Sequence, residues 1–286
     1  MNDPEFCVGC GNKVPPSAER CPHCGKPLPF PNVRAAEDPE ECAELEVRYQ
    51  SAQTEAANRS ASANLKDFEA AITHTVVVIA RSVNEVQRLA TSDKEVYATF
   101  HQLVGAGIKI PEDNKWDTVR VLTDHALFPG YKEQIRFAAL SLDGIGLSNY
   151  GACSIVFRTD MIEHRTSVFE ENSTLFMKHH NIEIWNADKL PRGYRATWKD
   201  RGKLCIAKLS KKIHAGTQSS DYPKLLLRQG TTPGEDEFVE AHICGPMTAR
   251  TMQLVTFSPH RNPPERVIIE ALKEMLDKIG VLVKES

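Results

Sequence analysis

Two pairs of cysteines near the start of the chain constrain its folding more than any other feature. They are Cys7 and Cys10, then Cys21 and Cys24, with two residues inside each pair and ten between the pairs. A two-residue spacing lets one tight turn direct both thiolates at a single ion, and Gly11 and Gly25 follow the pairs, where the turn needs a positive φ. Four thiolates suit tetrahedral Zn²⁺, so the sequence predicts a structural zinc site. The alternative is a pair of redox dithiols, although redox chemistry needs only one such pair.

The cysteine spacing resembles that of the short zinc ribbons found at the ends of many bacterial proteins. The resemblance covers about residues 5 to 28, and the short gap between the pairs predicts a brief hairpin. His23 lies between two ligands, and we expect it to be a bystander because four cysteines fill the coordination shell. A ribbon does not specify a function, since such modules contact nucleic acid, protein, or neither.

The overall composition excludes several classes of protein. The 286 residues are 41% hydrophobic and carry a net charge of -3, so a core is expected in part of the chain and no general basic field attracts nucleic acid. No apolar run approaches the roughly 18 residues of a membrane span, and the first residues do not have the pattern of a secretory signal. We therefore expect a cytoplasmic protein. The other cysteines are scattered and predict no disulfide framework: Cys42, Cys153, Cys205 and Cys244.

Sequence patterns divide the chain into a zinc ribbon (1–30), a linker and helical region (31–100) and an α+β domain expected to be catalytic (101–286). Residues 27–41 are rich in proline and predict a linker. Asp38 before Pro39 predicts a helix start, and the helix is expected to break within 58–64, with a coiled-coil dimer as a weaker alternative. The predicted fold class is α+β, with a split, twisted sheet in the last domain.

The hydrophobic periodicity predicts both strands and helices beyond the ribbon. Strands are expected in "THTVVVIARS", "QIRFAALSLDG", "ACSIVFRTDMI", "YPKLLLRQG", "EFVEAHICGPM" and "ARTMQLVTF". Helices are expected in "SVNEVQRLA", "SDKEVYATFHQLVGAG", "WDTVRVLTDHALF", "ATWKDRGKLCIAKLSKKI" and "PPERVIIEALKEMLDKIG". "EHRTSVFEENSTLFMKHH" predicts a short extended piece followed by a helix.

Three stretches carry more polar groups than a core or a plain loop needs. "LDGIGLSNYG" is either a glycine loop that approaches a ligand or a bare turn. "EHRTSVFEENS" contains Ser167 and Glu170 at the spacing of a capping box, which is the structural alternative to a binding cluster. In "EFVEAHI", alternation predicts that Val239, Ala241 and Ile243 enter the core. Phe238, Glu240 and His242 then occupy the opposite face, which is either a functional site or the solvent-facing side of the sheet.

These features resemble the ADP-ribosyltransferase fold, in which a cleft grips NAD⁺ and a late Glu stabilises the oxocarbenium-like state. The resemblance implies that Glu240 is catalytic and that Glu237 is its helper. It implies a cofactor-binding set of Arg165, Thr166, Ser167, Tyr150 and Arg136, with Arg136 as a rival to Arg165. Phe238 lies on the same strand face as Glu240, and its ring is expected to stack on a planar ring of the ligand. NAD⁺ would be the substrate and a protein or nucleic acid the acceptor, as in an intracellular bacterial toxin or phage-defence effector with an antitoxin or regulatory partner.

Two other functions are open at this point. One is a zinc-ribbon adaptor or nucleic-acid-binding protein without catalysis. Lys208, Lys211 and Lys212 share one helix side, which is either a positive patch for phosphates or a solvated face. The other is a nuclease that uses Glu237, Glu240, His242 and Arg165.

Overall fold

A computed structural model describes residues 5–7, 9–92, 94–108, 110, 115–182, 190–258 and 263–285. The helices are α1 Pro31–Ala36, α2 Pro39–Asn58, α3 Ser62–Ile72, α4 Val83–Ala90, α5 Phe100–Gly105, α6 Lys115–Leu127, α7 Thr159–Ile162, α8 Ser173–His179, α9 Arg201–Leu209, α10 Tyr222–Leu226 and α11 Pro263–Lys278. The strands are β1 Glu5–Phe6, β2 Lys13–Val14, β3 Val76–Arg81, β4 Ile135–Ser141, β5 Cys153–Phe157, β6 Thr166–Phe169, β7 Arg195–Thr197, β8 Leu227–Arg228, β9 Glu237–Phe238, β10 Glu240–Cys244, β11 Met252–Phe257 and β12 Leu282–Glu285.

One eight-stranded sheet dominates the molecule, in the order β12-β11-β5-β3-β4-β10-β6-β7. Its neighbouring strands are antiparallel, except that β12 runs parallel to β11. The hydrogen-bonded ladder is continuous from β12 to β7, whereas the sequence predicted a split sheet. Two small two-stranded sheets, β1–β2 in the ribbon and β8–β9, lie outside the ladder. The predicted α+β class, with an N-terminal ribbon and a large mixed sheet, is confirmed.

The main core lies on one face of the sheet. Inward residues of the central strands, such as Val77, Leu140 and Ile155, pack there against apolar residues of α2, α3, α4, α9 and α11. Val239, Ala241 and Ile243 belong to this core, as the alternation predicted. This face therefore holds most of the apolar area that stabilises the fold.

The opposite face of the sheet is covered too. Small apolar clusters lie there, one around Phe128 and Phe169 and another around Val78 and Phe238. Glu240 and His242 are both buried between them, so the solvent-facing alternative for this strand side is wrong. A carboxylate buried inside the protein needs hydrogen-bond partners, so Glu240 requires polar groups on this face.

Several local predictions are confirmed where a capping or turn residue sets the backbone. The Asp38 side chain caps α2 by accepting from the amides of Glu40 and Glu41, and Pro39 occupies the first turn. The predicted break falls between α2 and α3, where Ser60 has a φ of 56°. The helix predicted in "SDKEVYATFHQLVGAG" is limited to α5, where Thr99 caps the helix with Gln102.

Other local predictions are wrong because tertiary packing overrides the local pattern. The proline-rich segment 27–41 contains α1, whose Asn32, Val33 and Arg34 are buried. "YPKLLLRQG" begins as α10 and is extended only at Leu227–Arg228. Ser167 lies within β6, so it forms no capping box, and Asn172 caps α8 instead. The strands β7 and β12 lie in segments where the sequence predicted none.

The central strand β3 comes from the segment predicted as a linker and helical region. It pairs with β4 on one side and β5 on the other, so residues 31–100 supply part of the sheet that is otherwise built from 101–286. The division of the chain into three segments stays a prediction. Among the described residues, every helix is too short or too polar to serve as a membrane span.

Candidate functional site

The four ribbon cysteines lie close enough together to hold one metal ion. Their Sγ atoms are all within 4.8 Å of one another. The distances are 3.7 Å between Cys7 and Cys24 and 3.6 Å between Cys10 and Cys21. Tetrahedral zinc with Zn–S bonds of about 2.3 Å requires sulfur atoms about 3.8 Å apart. The donor set therefore fits a structural zinc ion.

Nearby N–H groups favour the thiolate form that zinc requires. The amide of Gly9 donates to Cys7 Sγ at 3.3 Å, and Asn12 Nδ2 donates to Cys10 Sγ at 3.4 Å. Hydrogen bonds from the backbone and then the side chain of Asn12 lower the pKa of Cys10 to about 6. Gly11 and Gly25 have φ values of 69° and 71°, as the sequence predicted for both turns.

The short helix α1 connects the ribbon to the back of the sheet. Arg34 donates to the ribbon carbonyls of Ala18 at 2.8 Å and Pro16 at 2.7 Å. Two positions earlier, Asn32 Nδ2 donates to the carbonyl of His242 at 2.8 Å and to that of Arg165 at 3.1 Å. A segment predicted as a linker is thus an anchor between the two regions.

A pocket of about 440 Å³ lies over β3, β4 and β10 on the face opposite the main core. Its other walls come from residues 97–100 and 103, from Arg120 and Asp124 of α6, from residues 146–147 and 149–150, from the start of α8 and from residues 233–234. This volume is within the range of pockets that bind small molecules.

Glu240 is a fixed carboxylate in the wall of this pocket, with only 5% of its surface exposed. Its Oε2 accepts from the backbone amide of Ser173 at 3.2 Å, from the Ser173 hydroxyl and from His242 Nε2 at 3.0 Å. The His242 ring lies in turn against Phe128, at 4.7 Å between ring centroids, and Phe137, at 5.3 Å. The carboxylate is therefore held in place before any ligand binds, and Oε2 carries the three hydrogen bonds.

Four of the residues predicted from the resemblance line this pocket: Arg136, Tyr150, Phe238 and Glu240. Arg136 is anchored because its Nε and Nη2 donate to the carbonyl of Tyr97 at 3.2 and 3.0 Å. Burial raises the pKa of Tyr150, and the carboxylates of Asp236 and Glu240 raise it further. The Tyr150 phenol therefore stays neutral and able to donate. Asp236 is buried and accepts from Asn149 Nδ2 at 2.9 Å.

The structure places the other predicted site residues outside the pocket lining. Arg165 Nη1 donates to the carbonyls of Cys244 at 2.7 Å and Pro246 at 2.9 Å, which ties strand ends together. The Thr166 hydroxyl donates to the carbonyl of Ile162 at 2.7 Å. These contacts are with backbone carbonyls, as expected of groups that hold a fold together.

Ser167 and Glu237 also have partners away from the pocket. Ser167 Oγ accepts from Asn32 Nδ2 at 3.1 Å. Glu237 forms ion pairs with Lys212, at 2.7 Å, and with Arg228. Although Glu237 and Glu240 are only three residues apart in sequence, Glu237 lies in ion pairs with Lys212 and Arg228, whereas Glu240 lines the pocket.

The pocket also contains residues that the sequence analysis did not select. Arg120 stacks on the ring of Phe137 at 4.3 Å, and Arg81 stacks on that of Tyr97 at 5.0 Å. Asp124 lies 3.5 Å from Arg120 Nε and 2.8 Å from His101 Nε2. The one available signal was the four-residue spacing of Arg120 and Asp124 on a predicted helix. Such a spacing occurs on many helix surfaces and does not indicate a pocket.

The predicted positive patch is balanced by carboxylates. Lys208 lies 3.6 Å from Glu171, Lys211 lies 4.0 Å from Glu55, and Lys212 lies 2.7 Å from Glu237. The side chain of Lys208 is also largely buried, and burial lowers its pKa. These three lysines therefore do not form an uncompensated surface for phosphates.

Comparison with known families identifies the ribbon alone. A family model described as a zinc-ribbon domain matches residues 6–28. No curated protein matches the chain. The match agrees with the cysteine geometry and gives no support to the resemblance to ADP-ribosyltransferases. The chain therefore carries an N-terminal zinc ribbon.

Proposed function

We propose that the region after the zinc ribbon is an ADP-ribosyltransferase that takes NAD⁺ as its substrate in the pocket around Glu240. One observation carries this proposal. Glu240 is a buried carboxylate in the pocket wall, held by Ser173 and His242. Burial of a carboxylate costs free energy of folding, and buried ionisable groups that line a cleft are typical of functional sites.

The chemistry requires a negative charge in that position. When the bond between nicotinamide and ribose breaks, the electron pair leaves with nicotinamide and positive charge develops on the ribose carbon. A fixed carboxylate stabilises that charge more in the transition state than in the ground state, as in glycoside cleavage. A nucleophile of the acceptor then bonds to the same carbon and releases its proton to solvent. In this arrangement Tyr150 and Phe238 offer rings on which a planar base can stack.

The test measures NAD⁺ turnover directly. Protein is incubated with labelled NAD⁺ and cell extract, and both label transfer and nicotinamide release are compared with extract alone. We expect turnover that falls by about 10²- to 10³-fold in Glu240→Gln. The matched control is Glu237→Gln, three residues away and partly exposed in ion pairs, which we expect to retain activity. Absence of NAD⁺ turnover with every acceptor would refute the proposal.

A second function, an adaptor without catalysis, is favoured by the family match over residues 6–28. Zinc ribbons serve as small interaction modules that bind protein or nucleic acid. In that case removal of the ribbon abolishes partner binding, while Glu240→Gln leaves partner binding and all measured chemistry unchanged. A nuclease is distinguished by adding Mg²⁺ and labelled RNA or DNA to the same assay, because it cleaves phosphodiesters and leaves NAD⁺ intact.

A further inference from the structure

Two arginines and a tyrosine meet at one end of the pocket, away from Glu240. Arg81 ends β3, and both Arg120 and Tyr97 line the same pocket. The register pairs Glu240 with Ala139, and Ala139 with Val78, which is three residues before Arg81. Three residues of a strand span about 10 Å, so Arg81 lies about that far along the sheet from the level of Glu240.

The donors at this end are incompletely paired. Arg120 Nε and the Tyr97 hydroxyl are buried and have no hydrogen-bond partner among the described residues, although Asp124 Oδ2 lies 3.5 Å from Arg120 Nε as an ion pair. Arg81 donates through Nη1 to the carbonyl of Ala80 at 2.7 Å, and its Nε lies 3.6 Å from Glu85, beyond hydrogen-bond distance. Unpaired donors in a buried position cost free energy unless a ligand accepts from them.

The two guanidinium groups also affect each other. Burial is the main cause that lowers the pKa of Arg81 to about 10; Glu85 opposes this shift, and the charge of Arg120 contributes to it. Cation–π contacts of Arg120 with Phe137 and of Arg81 with Tyr97 restrict both side chains. Each cation has a carboxylate on one side, Asp124 at 3.5 Å from Arg120 and Glu85 at 3.6 Å from Arg81, and an anion placed between the two guanidinium groups would offset their mutual repulsion.

We infer that this end of the pocket is a phosphate subsite formed by Arg81, Arg120 and Tyr97, and that it takes the diphosphate group of a nucleotide. The planar fork of arginine matches phosphate oxygens in pairs, and a phenol adds one neutral donor. The inference rests on the proposed function in one respect, since a ribose attached to that diphosphate extends along the sheet towards Glu240.

The binding test uses the full-length, zinc-loaded chain and isothermal titration calorimetry with ADP, adenosine and inorganic pyrophosphate. We expect ADP to bind at least about tenfold more tightly than adenosine and to weaken as salt is added. Arg120→Gln should weaken ADP binding by about tenfold or more, and Tyr97→Phe by a few-fold. Arg192→Gln is the control, because Arg192 is exposed and lies 3.8 Å from Glu40. Thermal unfolding of each variant verifies that it is folded.

Any of the following three results would overturn the inference. ADP that binds no more tightly than adenosine, or that does not bind at millimolar concentration, shows that the phosphates are not recognised. Equal affinity for pyrophosphate and ADP shows a site for free phosphate rather than for a nucleotide. Equal loss in Arg192→Gln and Arg120→Gln shows a general charge effect.

Failure of this subsite is distinguishable from failure of the proposed transferase. Glu240→Gln should still bind ADP as the unmodified chain does. ADP binding that depends on Arg120, in a chain that never turns over NAD⁺, removes the transferase and leaves the subsite. Turnover of NAD⁺ with an unchanged KM in Arg120→Gln removes the subsite and leaves the transferase.

Discussion

The zinc ribbon and the eight-stranded sheet are stabilised in different ways. The ribbon buries little more than Cys7, Val14 and Cys21, with Leu28 packed against them. The sheet instead packs one face against several helices and covers the other face with smaller apolar clusters. A module with so small a core depends on its metal, whereas the sheet depends on apolar area spread over many residues. The structure of the ribbon can therefore be predicted from its four cysteines, whereas no comparably short motif predicts the sheet.

The largest expected effect is loss of the ribbon on removal of zinc. Cys10→Ser, or a strong chelator, removes one of four ligands or the ion itself, and structural zinc in small modules contributes about 10 kcal/mol or more of binding free energy. We expect the ribbon amides to lose their NMR dispersion while the sheet keeps its cooperative thermal transition. Zinc content, measured by mass spectrometry, should fall from one ion per chain. Cys42→Ser, at an exposed cysteine outside the ribbon, is the control. If the sheet unfolds together with the ribbon when zinc is removed, the two regions are not stabilised independently.

A core substitution should have the next largest effect, and only in the sheet. Phe257 is fully buried in β11, so Phe257→Ala should lower the free energy of unfolding by about 3–5 kcal/mol. Phe6 in the ribbon is 59% exposed, and Phe6→Ala should change stability by less than about 0.5 kcal/mol. Urea unfolding followed by circular dichroism measures both. Equal losses in the two variants would show that the ribbon has an apolar core after all.

Sequence patterns predicted the parts of the fold that depend on local residues. The zinc ligands, the Asp38 cap and the alternation of β10 are all set by neighbours along the chain. By contrast, β12 pairs with β11 over only four residues, three of which are exposed. Its existence depends on a partner strand more than twenty residues earlier, and no local periodicity records that.

The pocket was predictable only through strand alternation. The positions of Phe238 and Glu240 on one face and of Val239, Ala241 and Ile243 on the other follow from the period of two. Arg81, Tyr97 and Arg120 lie far apart in sequence and come together because β3 inserts between β4 and β5. Long-range packing also places a glutamate beside each of Lys208, Lys211 and Lys212. The local sequence does not show these partners, so the lysines resembled a surface for nucleic acid.

Asn32 connects the two regions, so its replacement should weaken their contact. Its Nδ2 donates to the buried carbonyls of His242 and Arg165, and Asn32→Ala leaves them without that donor at a cost of about 1–3 kcal/mol. Hydrogen exchange should increase at α1 and at the ribbon hairpin bound by Arg34. Asn64→Ala, which removes weaker and more exposed contacts, should cost less than about 1 kcal/mol. Unchanged exchange at α1 would show that the regions are held together by other contacts.

The smallest effect is expected at the exposed ion pair between Lys212 and Glu237, which are 2.7 Å apart. A double-mutant cycle of Lys212→Gln and Glu237→Gln should give a coupling of less than about 1 kcal/mol that shrinks as salt is added, because solvent screens such pairs. Burial acts to raise the pKa of Glu237, but Lys212 and Arg228 lower it below its ordinary value. Its contribution is therefore present above the ordinary carboxyl pKa of about 4.3 and is lost as the pH falls through the lower folded value. Urea unfolding of the four proteins at neutral pH and at acid pH measures this change. A coupling that survives at acid pH, with Glu237 protonated, would show that the pair is held by packing rather than by charge.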